Sequence, residues 1–358
     1  MLRDFLVKNF RCFSSLMLRP LARVNLIAGK NNTGKTALLE AIQLHCNPTN
    51  TWVPILVNRG RGIDVPDKVA EEGLGWLFFD KNPGNVIELS SEDEKNVGRR
   101  LTIRLMDGSA ARTQFPQVNK ILLDTFKKET WDANRPLLIL RYEGPNGEER
   151  ISLGFSGELN FSSYHALKPW DVPCVFLGSG LSSDEEDDKD VRFFSELETA
   201  NRQEELLPSL RVLEPRLERL SLVVLGGRPV IHGNIGLTRL VPVPLMGEGI
   251  RRLLSILLAI FNSKGGFVLI DEVENGLHYS VMKQVWQAVG SAARQADVQV
   301  VATTHSYQCI DAAHETFTES DQYDFQLIRL DRVDQDLTAT TYDQEALEAA
   351  MKFYMEVR

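Results

Sequence analysis

Apolar positions change their spacing along this chain, and the changes divide it into elements. In the first 28 residues they form short runs, Phe5 to Val7, Leu16 to Leu18 and Val24 to Ala28, which read as strands. From Ala37 to Leu44 the spacing is that of a helix. Between about 50 and 170 the texture turns β-rich: Leu101, Ile103 and Leu105 alternate with Thr102 and Arg104, and Leu137 to Tyr142 makes a further strand. Gly144-Pro145-Asn146-Gly147 is a hairpin-type turn before Ile151 to Phe155, and one helical piece lies around Val118 to Phe126. Helical spacing returns from Val191 to Leu220, with Leu206, Leu210, Leu213, Leu217 and Leu220 on related faces and Pro208 and Pro215 breaking the run. Ile250, Leu253, Leu254, Leu257, Leu258 and Phe261 mark another helix. Two unbroken apolar runs, Phe267 to Ile270 and Val300 to Ala302, read as buried strands, and the stripe Val281, Met282, Val285, Trp286, Val289 between them is a core-facing helix. Strands alternating with helices place the chain in the α/β class.

Composition narrows the picture. At 358 residues, 43% hydrophobic and 25% charged, the chain has enough apolar residues for a large core, as one elaborated domain or two. The formal net charge of -9 excludes wholesale coating of nucleic acid, so any DNA contact would need a local basic patch. Cys12, Cys46, Cys174 and Cys309 form no C-x-x-C pair and fit free thiols in a reducing cytoplasm. The longest apolar run, Leu253 to Phe261, is too short to cross a bilayer, and the first residues lack a signal-peptide pattern; a cytoplasmic protein with no membrane partner is expected. Asp184-Glu185-Glu186-Asp187-Asp188 reads as a solvated loop rather than a metal site.

The chemistry gathers at the ends of the apolar runs. Gly29-Lys30-Asn31-Asn32-Thr33-Gly34-Lys35-Thr36 lies between a strand and a helix, the context of a phosphate-binding loop. Its glycines let backbone N–H groups turn toward phosphate oxygens, Lys35 adds a charge toward the β- and γ-phosphates, and the Thr36 hydroxyl can ligate Mg²⁺. ATP and Mg²⁺ are the implied ligands. At the end of the 267–270 run, Asp271 is placed to hold the metal, and Glu272, pointing the other way from the strand axis, to polarise an attacking water. His305, after the 300–302 run, is placed to sense the γ-phosphate. Gly247, Glu248 and Gly249 open the helix that follows them, so its bare N-terminus can meet a second phosphate group, that of a nucleotide held by another subunit.

Phosphate loop, glycine signature, Asp-Glu strand and His, in that order, resemble the ABC-type ATPase heads of the SMC, RecF and OLD group. Leu6-Val7-Lys8-Asn9-Phe10-Arg11-Cys12-Phe13 is similar to the opening of those proteins, and Glu274-Asn275-Gly276-Leu277-His278 to their dimer-contacting D-loop, which adds Asn275 to the nucleotide-facing set. Met246 to Arg252 resembles the signature of the OLD-like branch, often labelled AAA-type ATPases, with Met246 where transporter-type signatures carry Ser. The Q-loop glutamine has two candidates by position, Gln114 and Gln117. The resemblance implies an ABC-type P-loop ATPase head: N-terminal strands and loop over 1–50, a β-rich insertion over 51–170, a helical lobe over 171–262, and the carboxylates, D-loop, His and closing elements over 263–358. It implies a homodimer or higher oligomer that sandwiches ATP and uses hydrolysis as a switch. Only 53 residues follow His305, too few for the nuclease domain of OLD proteins, and Asp334-Gln335-Asp336 reads as a hairpin turn between two strands. A separate nuclease or effector partner in DNA-linked phage defence is therefore expected. A RecF-like repair ATPase, or a slowly hydrolysing scaffold for an effector, stands as the alternative.

Overall fold

The computed structural model describes all residues except 64–69, 116–117, 119–135, 148, 156–171, 179–182 and 335. Strands β1 (Leu2–Phe10) and β2 (Phe13–Leu18) form a hairpin, and β3 (Val24–Ala28) runs into the loop before helix α1 (Lys35–Cys46). Strands β4 (Ile87–Asp93), β5 (Gly98–Asp107), β6 (Pro136–Glu143) and β7 (Glu149–Phe155) follow, then β8 (Cys174–Leu177) and helix α2 (Ser183–Thr199). A small sheet of β9 (Arg219–Leu225), β10 (Arg228–Asn234) and β11 (Val241–Pro242) precedes helix α3 (Glu248–Asn262). The chain continues through β12 (Phe267–Ile270), α4 (Met282–Ala296), β13 (Gln299–Thr303), α5 (Tyr307–Thr318), β14 (Phe325–Val333), β15 (Asp336–Tyr342) and α6 (Gln344–Lys352).

One six-stranded sheet has the order β15-β14-β3-β13-β12-β8 and is parallel except for β15. Its strands are apolar on both faces because both are covered. Val24, Leu26, Val268, Ile270, Val300 and Ala302 face a core shared with α3, α4 and α5, while Ile27, Phe267, Leu269 and Val301 face a second core shared with α1 and the other large sheet. Burying each large aliphatic side chain contributes roughly 1.5–3 kcal/mol, so two such layers hold the strand ends rigidly. The register sets those ends level: Thr303 lies opposite Ile27, and Ile270 opposite Ala302.

The other six-stranded sheet is antiparallel, in the order β2-β1-β4-β5-β6-β7. The β-rich stretch is therefore not a sheet of its own: β4 pairs with β1, Phe5 opposite Ser91 and Val7 opposite Leu89. Alternation identifies strands but carries no information about a partner eighty residues away.

Two further expectations change. The acidic run lies in the opening turns of α2 rather than in a loop. The helical spacing from Val191 breaks up after Thr199 into two short turns, Gln203–Leu206 and Leu207–Leu210, and Leu220 belongs to β9. Of the piece around Val118 to Phe126, only Val118 is among the described residues, and it is buried. Asp334 does sit in a tight turn, with Val333 opposite Asp336, and has left-handed φ. No disulfide joins the four cysteines, and no helix among the described residues is long and apolar enough to cross a membrane.

Candidate nucleotide site

The loop from Gly29 to Thr36 leaves the centre of the parallel sheet with left-handed or extended-positive φ at Gly29, Asn32 and Gly34. Two of these must be glycine. A Cβ on Gly29 would stand 2.7 Å from the Leu330 carbonyl oxygen, and one on Gly34 would stand 2.7 Å from Cys12 Sγ. Gly34 caps α1 without any side-chain hydrogen bond, so the first N–H groups of the helix present bare donors, the arrangement that receives phosphate. Lys35 Nζ folds back on its own loop, donating to the carbonyls of Gly29 at 2.6 Å and Lys30 at 3.0 Å. Burial lowers its pKa, and the charges of Asp271, Glu272 and Glu274 oppose that shift. Lys35 is thus a half-buried cation whose present partners are neutral carbonyls. Thr33 braces the loop by donating to the Lys30 carbonyl at 2.8 Å.

From the other side comes the end of β12. Thr36 Oγ1 donates to the Asp271 carboxylate at 3.0 and 3.1 Å, and Thr303 Oγ1, from the last residue of β13, donates to Asp271 Oδ1 at 2.7 Å. Thr303 also accepts the N–H of Glu272 at 2.8 Å, so one hydroxyl ties the two acidic residues to the neighbouring strand. Glu272 does not owe its direction to the strand pleat. β12 ends at Ile270, and Glu272 has a φ of 48°, so a left-handed turn aims its side chain. Asn275 Nδ2 donates to Glu272 Oε2 at 2.7 Å, holding that carboxylate from the turn that follows.

His305 begins the loop after β13, half-exposed, with Nδ1 4.0 Å from Glu272 Oε1. Its backbone is held by Glu274, which accepts the His305 N–H at 3.0 Å and the Thr304 hydroxyl at 2.8 Å. The loop, Asp271, Glu272, Asn275 and His305 therefore meet at one edge of the sheet. The helix start does so only indirectly. Gly247 is the N-cap of α3, with φ 115°, but no hydrogen bond joins residues 247–249 to residues 29–36 among the described residues. Glu248 and Gly249 lean on the turn after β12 instead: a Cβ on Gly276 would meet Glu248 Cγ at 2.6 Å, and one on Gly249 would lie 3.6 Å from Leu277. One turn further along α3, buried Arg252 donates to the Asp271 carbonyl at 3.0 Å.

Met246 turns inward. A Cβ on Gly233 would stand 2.8 Å from its sulfur, so the side chain packs on β10. Of the Q-loop candidates, Gln114 is exposed at the end of a helix, Gly108–Gln114, that packs on the antiparallel sheet, and Gln117 lies outside the described residues. Sequence reasoning missed Thr303, Glu274 and Arg252. Thr303 looks like an ordinary strand residue, and only its place beside the end of β12 gives it a task. The donor set of Thr36 and Asp271, one hydroxyl and one carboxylate, suits Mg²⁺, which takes few protein oxygens and completes its shell with water and substrate phosphates.

Residues 24–311 match the family model described as "AAA domain, putative AbiEii toxin, Type IV TA system". The chain is 22% identical over 372 residues to a Helicobacter pylori protein named "ATP/GTP phosphatase", covering 97% of each. Among solved structures it is similar to an SMC head bound to the C-terminal winged-helix domain of ScpA, with a TM-score of 0.50 and 14% identity over 98% of this chain and 99% of that one. An SMC head with an extended coiled coil from Pyrococcus furiosus aligns over 99% and 98% of the two chains at 13% identity and a TM-score of 0.49.

Proposed function

This chain belongs to the family described as "AAA domain, putative AbiEii toxin, Type IV TA system", a family of ATPases, and from that premise we propose that it is an ATP-driven switch that works as a dimer. The observation that carries the reading is the hydrogen-bond chain Thr36–Asp271–Thr303–Glu272, which joins the phosphate loop, through the Asp271 carboxylate and the Thr303 hydroxyl, to the backbone N–H of the residue that bears the water-polarising carboxylate. In this reading Lys35 gives up the Gly29 and Lys30 carbonyls for the β- and γ-phosphates, a better match for its charge. Thr36 and Asp271 would hold Mg²⁺, which would neutralise phosphate charge when bound. Glu272, fixed by Asn275, takes the proton of the water that attacks the γ-phosphorus as the bond to the ADP oxygen breaks. His305 holds the outgoing phosphate or the water. The relative named as an ATP/GTP phosphatase supports triphosphate hydrolysis.

The second subunit enters through the exposed start of α3, Gly247 to Gly249, with Leu245 and Tyr279 as exposed apolar neighbours of the signature and D-loop segments. Arg252 connects that start to Asp271, so a partner's nucleotide docked there can be felt at the subunit's own metal site. The biological role in this reading is anti-phage defence beside a separately encoded effector such as a nuclease; the family description, which names a putative AbiEii toxin of a type IV TA system, is compatible with it. One observation favours the slower scaffold reading: inward-facing Met246 offers no hydroxyl at the signature position.

Complementation tests the dimer. Lys35→Ala is expected to lose ATP binding, and Gly249→Asp to keep binding but lose hydrolysis, because a carboxylate there repels the partner's triphosphate. Mixing the two variants concentrates both lesions in one composite site and is expected to restore phosphate release. Full activity of Gly249→Asp alone, or of a strictly monomeric preparation, overturns the shared site.

A further inference from the structure

Glu274 has a largely buried side chain, 13% exposed, at the same edge of the sheet as Asp271 and Glu272. Its two oxygens are used unequally. Oε1 accepts the Thr304 hydroxyl and the His305 N–H and also lies 3.3 Å from His305 Nδ1, whereas Oε2, which is buried, accepts no hydrogen bond among the described residues. A buried carboxylate oxygen without a donor costs free energy, and a carboxylate can only accept. The nearest ring donor is the imidazole of His305, whose Nδ1 lies 3.3 Å from Oε1 of the same carboxylate, so Nδ1–H is the group that can serve this carboxylate.

We propose that Glu274 is a positioning residue that keeps the proton of His305 on Nδ1 and so presents Nε2 to the reaction as a hydrogen-bond acceptor. A neutral imidazole has one donor and one acceptor nitrogen, and the partner of one decides the role of the other. With Nδ1–H committed to Glu274, Nε2 orients the attacking water by accepting from it, alongside Glu272. Thr304 and the His305 backbone supply the rigidity: the same carboxylate that chooses the tautomer also fixes the residue bearing the ring. The inference rests on the hydrolase reading for its catalytic consequence but not for the tautomer itself.

The test substitutes Glu274→Gln. The amide oxygen can still accept from Thr304 and the His305 N–H, so the backbone stays in place, but the amide nitrogen is a donor where Oε2 was an acceptor and favours the Nε2–H tautomer. Nitrogen-15 spectra of histidine-labelled, nucleotide-free protein at about pH 9, where a neutral imidazole predominates, report the tautomer directly, with His305 identified by its absence in His305→Ala. The wild type is expected to show Nδ1–H, and the Gln variant Nε2–H with kcat for ATP lowered about tenfold or more and KM little changed. A purely structural Glu274 would leave the Gln variant like the wild type in both readouts, and that result overturns the proposal. So does an Nε2–H wild type, which decides the matter even if the variant fails to fold. A wild type that binds ATP without hydrolysing it defeats the hydrolase reading alone and leaves the tautomer measurement standing.

Discussion

The two six-stranded sheets lie on either side of α1 and share a core, yet only one collects chemistry. In the parallel sheet β3, β12 and β13 all end at the same edge, so the residues that follow them, Gly29, Asp271 and Thr304 to His305, are brought together without further instruction. In the antiparallel sheet successive strands end at opposite edges, and nothing accumulates. Its exposed face instead carries charges that satisfy one another: Arg100 lies 3.6 Å from Glu88 and 3.9 Å from Glu143, and Arg141 is 3.2 Å from Glu143 and 2.9 Å from Glu149. A face paired in this way has little charge left for a phosphate backbone. Strand direction, more than composition, decides which sheet becomes a site.

Substitutions can break this contrast. The largest expected effect is in the parallel sheet: Glu272→Gln keeps size and the contact with Asn275 but removes the base, so turnover should fall by about 10² or more while ATP binding persists. Phosphate release beside equilibrium nucleotide binding measures both, and wild-type turnover would remove Glu272 from the mechanism.

A middle-sized effect tests how the two regions are joined. His45, on α1, is fully buried, with Nε2 2.8 Å from Ser91 Oγ on β4 and its ring edge-on to Phe5 on β1. Burial, and then the charge of Arg99, lowers its pKa to about 3. Between about pH 6.5 and 3 the unfolded chain therefore binds a proton that the folded one refuses, so this contribution to stability is complete above the window and is lost as pH falls through it. The loss from pH 7 to pH 5 should be about 2 kcal/mol, and His45→Gln should abolish that part of the slope. Urea midpoints at both pH values, in wild type and variant, provide the comparison; parallel shifts in the two proteins would show that His45 is not the titrating group. The smallest effect belongs to the charged face: Arg100→Ala should change stability by no more than about 0.5 kcal/mol and leave turnover unaltered, since such exposed pairs are weak. A large loss in denaturant stability would mean the ladder is more than a solvated surface.

The same contrast governs what could be read from the sequence. Phe267 to Ile270 and Val300 to Ala302 are apolar throughout because both faces are covered, and the residues at their ends stand out against that background. The phosphate loop declares itself because Gly29 and Gly34 occupy positions closed to a Cβ. The pairing of β1 with β4 was not legible, since a period of two is the same whatever strand lies alongside. Thr303 and Glu274 were hidden for another reason: their tasks arise from neighbours in space, Asp271 in one case and Thr304 and His305 in the other, that are thirty residues away in the chain. Met246 was legible as a departure from a signature, but that it serves as packing against Gly233 depends on a strand the sequence left unassigned.

The placement of β3 between β13 and β14 also has a consequence for how the protein is made. The strand that delivers the phosphate loop is among the first segments to leave the ribosome, yet both of its hydrogen-bonding neighbours lie beyond residue 298. At 5–20 residues per second, roughly 15–55 s pass between the synthesis of Val24 and that of Gln299. Throughout that interval an apolar strand waits with both edges open, and the long-range closure that ends the wait is of the kind that makes folding slow. Nucleotide grip and completion of the chain are thus tied together: the loop acquires its framework only when the last sixth of the sequence arrives.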